Sequence, residues 1–560
     1  MGIISFIGFT ALVAIIAYLA TRKNKQSADG YFLGGRSLTG PVIAGSLLLT
    51  NLSTEQIVGL NGAAFDEGIL VMAWETLAAI AMVVTAVFLL PRYLKGGITT
   101  VPQFLESRYD KLTKTLVSGL FLSGYVVVLL PIVLYSGALA VNTMFDVPQM
   151  LGVDDFTGLY ITVFAIGSIG VFYAVFGGLK AVAVSDSINA VGLLIGGLAI
   201  PVFGLMAIGS GSIGEGLDVL VSYSKPLGKL NSLGGPEASV PFGTIFTGMM
   251  LVQLFYWGTN QAIIQRALGA KNLAEGQKGL LYAAFLKILG PLMLVLPGMI
   301  AFYMAQHPES FNFFAAGDAI NKDQAYPLLV KQVLPASMVG FFAAVLFGAI
   351  LSSFNGGLNS SVTLFGLDIY KAHINTEASD AKVVKVGKTF GIFLAIAAMC
   401  IAPWLIKASG GLFAYLQEVN GCYSIPIFTI IVVGYLTKRV PAIAAKVGLF
   451  SGVVLYSISQ FIIKPMMVSS AVADAKASGV SDALELAMIE STAYPHFLHV
   501  MAILFVLNIL IMLVIGKLKP REVDFIQEYT EQVDIKPWTI LKPVSIAILV
   551  IVVGIYVYFS

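Results

Sequence analysis

Apolar residues in this chain come in long blocks separated by short polar ones. Blocks of about 20 apolar residues, the length an α-helix needs to cross a bilayer, recur from one end to the other. About fourteen stand out, at 3–20, 41–60, 70–90, 116–138, 158–176, 181–208, 244–262, 280–304, 338–365, 389–406, 412–436, 444–463, 497–516 and 543–559. The pattern predicts an all-α polytopic membrane protein with about 14 transmembrane helices. Two blocks are interrupted. In Thr50–Gly59, seven of the ten residues are Thr, Asn, Ser, Glu, Gln or Gly. A lipid-facing helix cannot carry so many polar groups, because each unsatisfied one costs several kcal/mol. Either neighbouring helices fill a re-entrant kink, or a broken helix lines a watered cavity and offers its freed carbonyls to a cation. The block at 244–262 is interrupted in the same way by Gln253, Tyr256, Trp257, Gly258, Asn260 and Gln261. It lies five blocks after the first. That spacing suits a five-plus-five inverted repeat whose two first helices are both discontinuous.

Charge supports this count. Loops after odd-numbered blocks hold 25 of the 33 Lys and Arg residues, and loops after even-numbered blocks hold 7. By the positive-inside rule the first set faces the cytoplasm, and both termini lie outside. Arg22, Lys23 and Lys25 follow the first apolar block instead of preceding it, so that block reads as a retained helix and not a signal peptide. The expected organisation is an extra N-terminal helix and cytoplasmic loop over 1–40, a first repeat over 41–208 and an external loop over 209–243. A second repeat over 244–436 and accessory helices over 437–560 complete it. The loops at 306–337 and 464–496 are long enough for short surface helices. Only 11% of the residues are charged, against about 25% in soluble domains, which leaves no room for a large soluble domain. A net charge of +2 without a basic tract gives no reason to expect a nucleic-acid partner. The two cysteines, Cys400 and Cys422, and the four histidines show no metal-binding spacing.

Candidate chemistry lies inside the apolar blocks. Glu75 and Lys287 are intramembrane charges, each costing roughly 2.5–3.5 kcal/mol at mid-depth unless paired or facing a cavity. They form either a structural ion pair or an acceptor and a donor for a polyol. Gln56, Gln253 and Gln417 fall in three different blocks and offer donors and acceptors alike. Tyr256 and Trp257 could stack on a sugar or simply pack. Ser352 and Ser353 supply adjacent hydroxyls, which either bond back to their own helix or join free carbonyls in a hard-oxygen cation site. Asp186 is a helix cap or a negative charge along an ion path.

Several stretches, in this order, resemble the sodium/solute symporter family, in particular its bacterial sodium/galactose-type members. They are Tyr31–Leu38, Asn51–Gln56, Gly177–Ala181 with Ser185-Asp186, Tyr256–Gln261 with Gln265-Arg266, Ala283–Lys287 with Leu296–Gly298, Ala349–Ser353 and Tyr415–Glu418. The resemblance covers residues 31 to about 440 and implies an inverted-repeat core with alternating access. It implies sugar contacts at Gln56, Glu75, Lys287 and Gln417, with Tyr256 as inner gate and Leu60, Trp74 and Phe413 as outer gate. It implies a sodium site formed by the carbonyls of Leu49, Leu52 and Ala349 and the hydroxyls of Ser352 and Ser353, with Asp186 on the exit route. Two positions depart from the family pattern. Gln253 stands where the family has asparagine, and Ala78 where it has a sugar-site serine.

The expected function is sodium-coupled import of a galactose- or glucose-like hexose across a bacterial inner membrane. Its partners are the sugar, Na+ as coupling ion and the lipid bilayer, and a single chain suffices for the cycle. The alternatives are sodium symport of a sugar acid or another organic acid, and a transporter-like membrane sensor. No HExxH, GxSxG or nucleotide loop is present, so the chain is not expected to be an enzyme.

Overall fold

A computed structural model describes residues 8–13, 15, 16, 19, 28–311, 322–407, 412–531 and 533–560. Half of the first apolar block, 3–20, lies outside the described residues. The described residues are helical, and their only β pairing is two isolated bridges, Leu38 with Ala270 and Gly234 with Pro241. Among the described residues, ten helices are long and apolar enough to cross a membrane, or eleven if one bent pair counts as a span.

The two interrupted blocks are broken helices. Helix α1 (Gly40–Asn51) stops, Ser53 adopts an extended conformation, and α2 (Thr54–Glu67) begins. Asn, Ser and Thr offer their own hydrogen bonds to the backbone, and so compete with helix propagation. After α3 (Ala73–Val84), α4 (Lys111–Gly124), α5 (Leu130–Phe145) and the long α6 (Asp155–Ile208), the second break follows. There α7 (Gly248–Gly258) gives way at Thr259 to α8 (Gln261–Leu268). The Asn260 side chain caps α8 by accepting from the Ala262 N–H at 3.0 Å.

Helix α9 (Leu273–Ile288) meets its continuation, α10 (Gly290–Ala305), at a bend of 50°. Pro291 at the start of α10 cannot donate to the preceding turn, which accounts for the bend. The remaining long helices are α11 (Ala336–Thr363), α12 (Asp380–Ile401), α13 (Leu412–Leu436), α14 (Ala442–Ile458), α15 (Phe497–Leu518) and α16 (Leu541–Tyr558). The loops expected to carry surface helices do so, at Lys322–Val333, Lys464–Ala477 and Ala483–Thr492. Among the described residues, four stretches widen into π turns, at Thr85–Leu89, Tyr125–Leu129, Leu364–Ile374 and Ser459–Ile463. All but Leu364–Ile374 are followed two residues later by a proline, Pro91, Pro131 or Pro465. A proline lacks its N–H and crowds the carbonyl four residues back, so the ladder loosens there.

Small residues let these helices approach closely, as is usual where lipid supplies no hydrophobic drive between them. A Cβ on Gly279 of α9 would fall 2.6 Å from the Cβ of Ile43 on α1. The segment 209–243 forms a helix, Ile213–Ser224, and returns to α2. There Lys229 donates to the Phe65 and Asp66 carbonyls at 3.0 and 2.6 Å, capping the end of α2. Burial holds the Lys229 ammonium below the usual lysine range, against the pull of Asp66 and Glu67.

Candidate solute and ion site

The first break faces two ways. On one side the Asn51 carboxamide donates to the Tyr256 hydroxyl at 3.2 Å and accepts from the Lys287 ammonium. Lys287 also pairs with Glu75, and the Gln56 amide donates to the other Glu75 oxygen at 2.7 Å. Five residues on α1, α2, α3, α7 and α9 thus form one buried network. Glu75 and Lys287 are 0% and 1% exposed, so neither charge could stay there unpaired. Gly290 makes the meeting possible. A Cβ at that position would sit 2.5 Å from Glu75 Oε2.

A cavity opens beside this network, bordered by Asn51, Gln56, Trp74, Tyr256 and Gln417 among others. Gln253 borders it too, but both ends of its amide are engaged within the protein. Nε2 donates to the Trp74 carbonyl at 2.9 Å, and Oε1 accepts from the Trp257 indole at 3.2 Å. A second cavity lies beyond Trp74 and Phe413, with Glu67, Lys464 and His496 on its wall. The Trp74 and Phe413 rings meet edge to face at 5.1 Å, a favoured arrangement for aromatic pairs. Trp74 and Gln417 border both cavities. Leu60 is fully buried beside this partition. Gly59 allows the close fit, since a Cβ there would lie 2.7 Å from the Phe413 Cβ.

On its other side the break meets α11. Ser353 donates to the Thr50 carbonyl at 2.9 Å, and the Ser352 and Thr50 hydroxyls lie 3.3 Å apart. Because α1 ends at Asn51, its last carbonyls have no helical acceptor role left, Leu49 among them. Leu49, Leu52, Ala349, Ser352 and Ser353 are all at most 3% exposed. Oxygen-rich, buried and close to the break, this set has the donor chemistry that a small hard cation requires. Asp186 is buried within α6 and not at a helix cap, and it accepts from the Ser46 hydroxyl at 2.6 Å.

Three participants were not among the expected site residues. Asn51 ties the solute side together, and its place inside the polar block was the signal for it. Arg266, which the charge pattern assigns to a cytoplasmic loop, is buried with a nitrogen 4.0 Å from Asp186 and donates to Ser46 at 3.2 Å. Tyr125 reaches the second break, donating to Asn260 Oδ1 at 3.0 Å and accepting from the Ala262 N–H at 3.0 Å.

The match to the sodium:solute symporter family spans residues 31–452, and the chain belongs to that family. It is therefore a membrane transporter and not an enzyme, and sodium is its coupling ion. The chain is 47% identical over 557 residues to the uncharacterized symporter YidK of Escherichia coli strain K12, covering 99% of this chain and 90% of that one. It is 32% identical over 468 residues to a sodium/glucose cotransporter of Vibrio parahaemolyticus, covering 81% of this chain and 84% of that one. Its fold matches a Na+-coupled sialic acid symporter, solved substrate-bound and outward-open. The TM-score is 0.71 at 19% identity, over 93% of this chain and 99% of the other.

Proposed function

We propose that the chain imports a galactose- or glucose-like hexose, driven by sodium, across a bacterial inner membrane. One observation carries the reading. The first break touches the solute side through Asn51 and the ion side through Thr50, one residue apart. A ligand shifts a conformational equilibrium only by binding one state better than the other. A hinge shared by both ligands meets that condition directly.

In this reading Gln56, Glu75, Lys287 and Gln417 bind the sugar hydroxyls, and Tyr256 closes over the sugar as inner gate. Gln253 acts by holding Trp74 and Trp257 in place. Leu60, Trp74 and Phe413 form the outer gate. Sodium takes the carbonyls of Leu49, Leu52 and Ala349 with the hydroxyls of Ser352 and Ser353, and leaves past Asp186. Sodium binds first and favours the outward-open state. The sugar then closes the outer gate, and both leave inward. The two broken helices, α1/α2 and α7/α8, support a five-plus-five inverted repeat over 41–208 and 244–436. The loop charges support fourteen spans with both termini outside. The likeness to a sodium/glucose cotransporter supports a sugar as solute.

The test is uptake of labelled galactose, glucose and mannose into proteoliposomes, with and without an inward sodium gradient. Wild type should accumulate one of them only with the gradient, and Gln56→Ala and Ser353→Ala should lose accumulation. Accumulation indifferent to sodium would defeat the proposal.

A further inference from the structure

Between α15 and α16 the described residues from Lys519 to Ile540 form no helix or strand. So long a stretch without secondary structure is uncommon in a compact protein, and calls for a role. Its first half is fastened to the end of α13. The Arg521 and Phe525 N–H groups donate to the Arg439 and Lys438 carbonyls at 2.9 and 3.1 Å, and Arg439 pairs with Asp524 at 2.6 Å. Its second half lies on α3 and α9. The Thr530 N–H donates to the Lys95 carbonyl at 2.8 Å, and the Gln527 amide to the Arg92 carbonyl at 3.3 Å. Both carbonyls belong to the helix Leu90–Lys95, which continues α3 beyond its π turn. The Trp538 N–H donates to the Gln277 side chain on α9 at 2.8 Å. The flanking helices keep the same division. On α15, Phe505 stacks on Phe428 of α13 at 5.7 Å. On α16, the Tyr556 hydroxyl lies 3.3 Å from the Thr76 hydroxyl of α3. The segment thus joins the helices that carry Glu75 and Lys287 to the helix that carries Gln417.

Resting on the symport reading above, we propose that this segment is a strap that holds the cavity shut on its cytoplasmic side and releases α3 each time solute leaves inward. Alternating access moves one group of helices against another around a fixed site. In that movement α16 and the second half of the strap stay with α3 and α9, while α15 and the first half stay with α13. Chain length does not restrain the parting. Phe525 and Trp538 are 13 residues apart, enough to span about 43–47 Å when extended. The restraint lies in the bonds to Arg92 and Lys95, which take up the slack. They are the right ones to yield. The Gln527 bond is solvent-exposed, and the Tyr529 ring beside Lys95 is 60% exposed. Solvated hydrogen bonds cost little to exchange for water.

The test uses the full-length chain with Cys400→Ser and Cys422→Ser, and Leu120→Cys as a reporter. Leu120 borders the cavity from α4. The rate at which a maleimide labels it in detergent reads inward opening and needs no solute. Thr530→Pro deletes the N–H given to Lys95 and should raise that rate about two- to twelvefold, the equivalent of one ordinary hydrogen bond. Thr530→Val keeps the N–H and should match its parent. Equal rates in these two variants would overturn the inference. A second arm closes the strap instead. Lys95→Cys and Tyr529→Cys, without the reporter, are joined by a reducible bis-thiosulfonate in proteoliposomes. The Lys95 ammonium lies 5.4 Å from the Tyr529 ring centre, within reach of a short reagent. Sodium-driven hexose uptake should be lost on cross-linking and return on reduction, and either cysteine alone should keep it. Uptake that persists through the cross-link would also overturn the inference. The arms separate the two ideas. No hexose uptake even after reduction defeats the sugar-symport reading, and the labelling rates then decide the strap. Sodium-driven uptake with labelling indifferent to Thr530→Pro defeats the strap alone.

Discussion

The two breaks look alike in the sequence and are finished differently in the structure. The second is complete. Asn260 caps α8, and the Tyr125 hydroxyl bridges that cap and the Ala262 N–H. The first has no side-chain cap on α2, and the Thr54 hydroxyl and Glu55 Oε2 are both buried without partners. Buried polar groups are almost always satisfied, and exceptions call for an explanation. The second break is a hinge that the protein closes for itself. The first is a hinge left open where an ion and a solute are expected to complete it. A double break is therefore not one motif used twice. The first copy is the one that leaves polar groups of the break itself unpartnered, Thr54 and Glu55.

The largest expected effect comes from cutting the first break away from α9. Glu75→Ala would leave Lys287 buried with Asn51 as its only hydrogen-bond acceptor, and removing one member of a buried ion pair costs about 3–5 kcal/mol. Thermal unfolding in detergent should drop sharply, and uptake should vanish. The double variant Glu75→Leu/Lys287→Met should recover most of the stability and none of the uptake. Recovery of uptake in the double variant would mean that the pair is purely structural.

A smaller effect separates the breaks themselves. Asn260→Ala removes the cap of α8 and should cost about 0.5–2 kcal/mol. Sodium at 100 times its dissociation constant should still raise stability by about 2.7 kcal/mol in that variant, as in wild type. Ser353→Ala should behave in the opposite way, losing most of the sodium-dependent gain. Equal loss of sodium protection in both variants, followed by thermal shift against sodium concentration, would erase the distinction between the two hinges.

Much of this was legible in the sequence, for reasons that differ by residue. The polar block at 50–59 announces a break because lipid tolerates no such block in a continuous helix. Glu75 and Lys287 announce a partner because neither charge can remain alone in the membrane. Three of the four π turns carried a signal as well, since Pro91, Pro131 and Pro465 fall inside or just after an apolar block, whereas Leu364–Ile374 had none. Other features depend on distant chain segments brought together by packing. Nothing local indicates that Lys229 caps α2 from 164 residues away, or that Arg266 is drawn from an apparent loop to Asp186. Gln253 shows the limit of reading by residue type. Its amide is suited to a sugar, but the Trp74 carbonyl and the Trp257 indole already occupy it.

The smallest expected effect is the sharpest test of the comparison. Tyr125→Phe deletes one hydroxyl and leaves the ring where it packs, 6.0 Å from Phe121. That hydroxyl donates to Asn260 and accepts from Ala262, so its loss should cost about 1 kcal/mol, the net worth of an ordinary hydrogen bond. Asn260 still caps α8 without it, so α8 should keep its start. If the second break is only a hinge, sodium dependence and solute affinity should match wild type, and only the thermal midpoint should fall slightly. If instead the half-saturating sodium concentration moves with this one hydroxyl, the second break takes part in ion coupling. The two hinges would then be two halves of one sensor, and the division of labour drawn from their caps would fail.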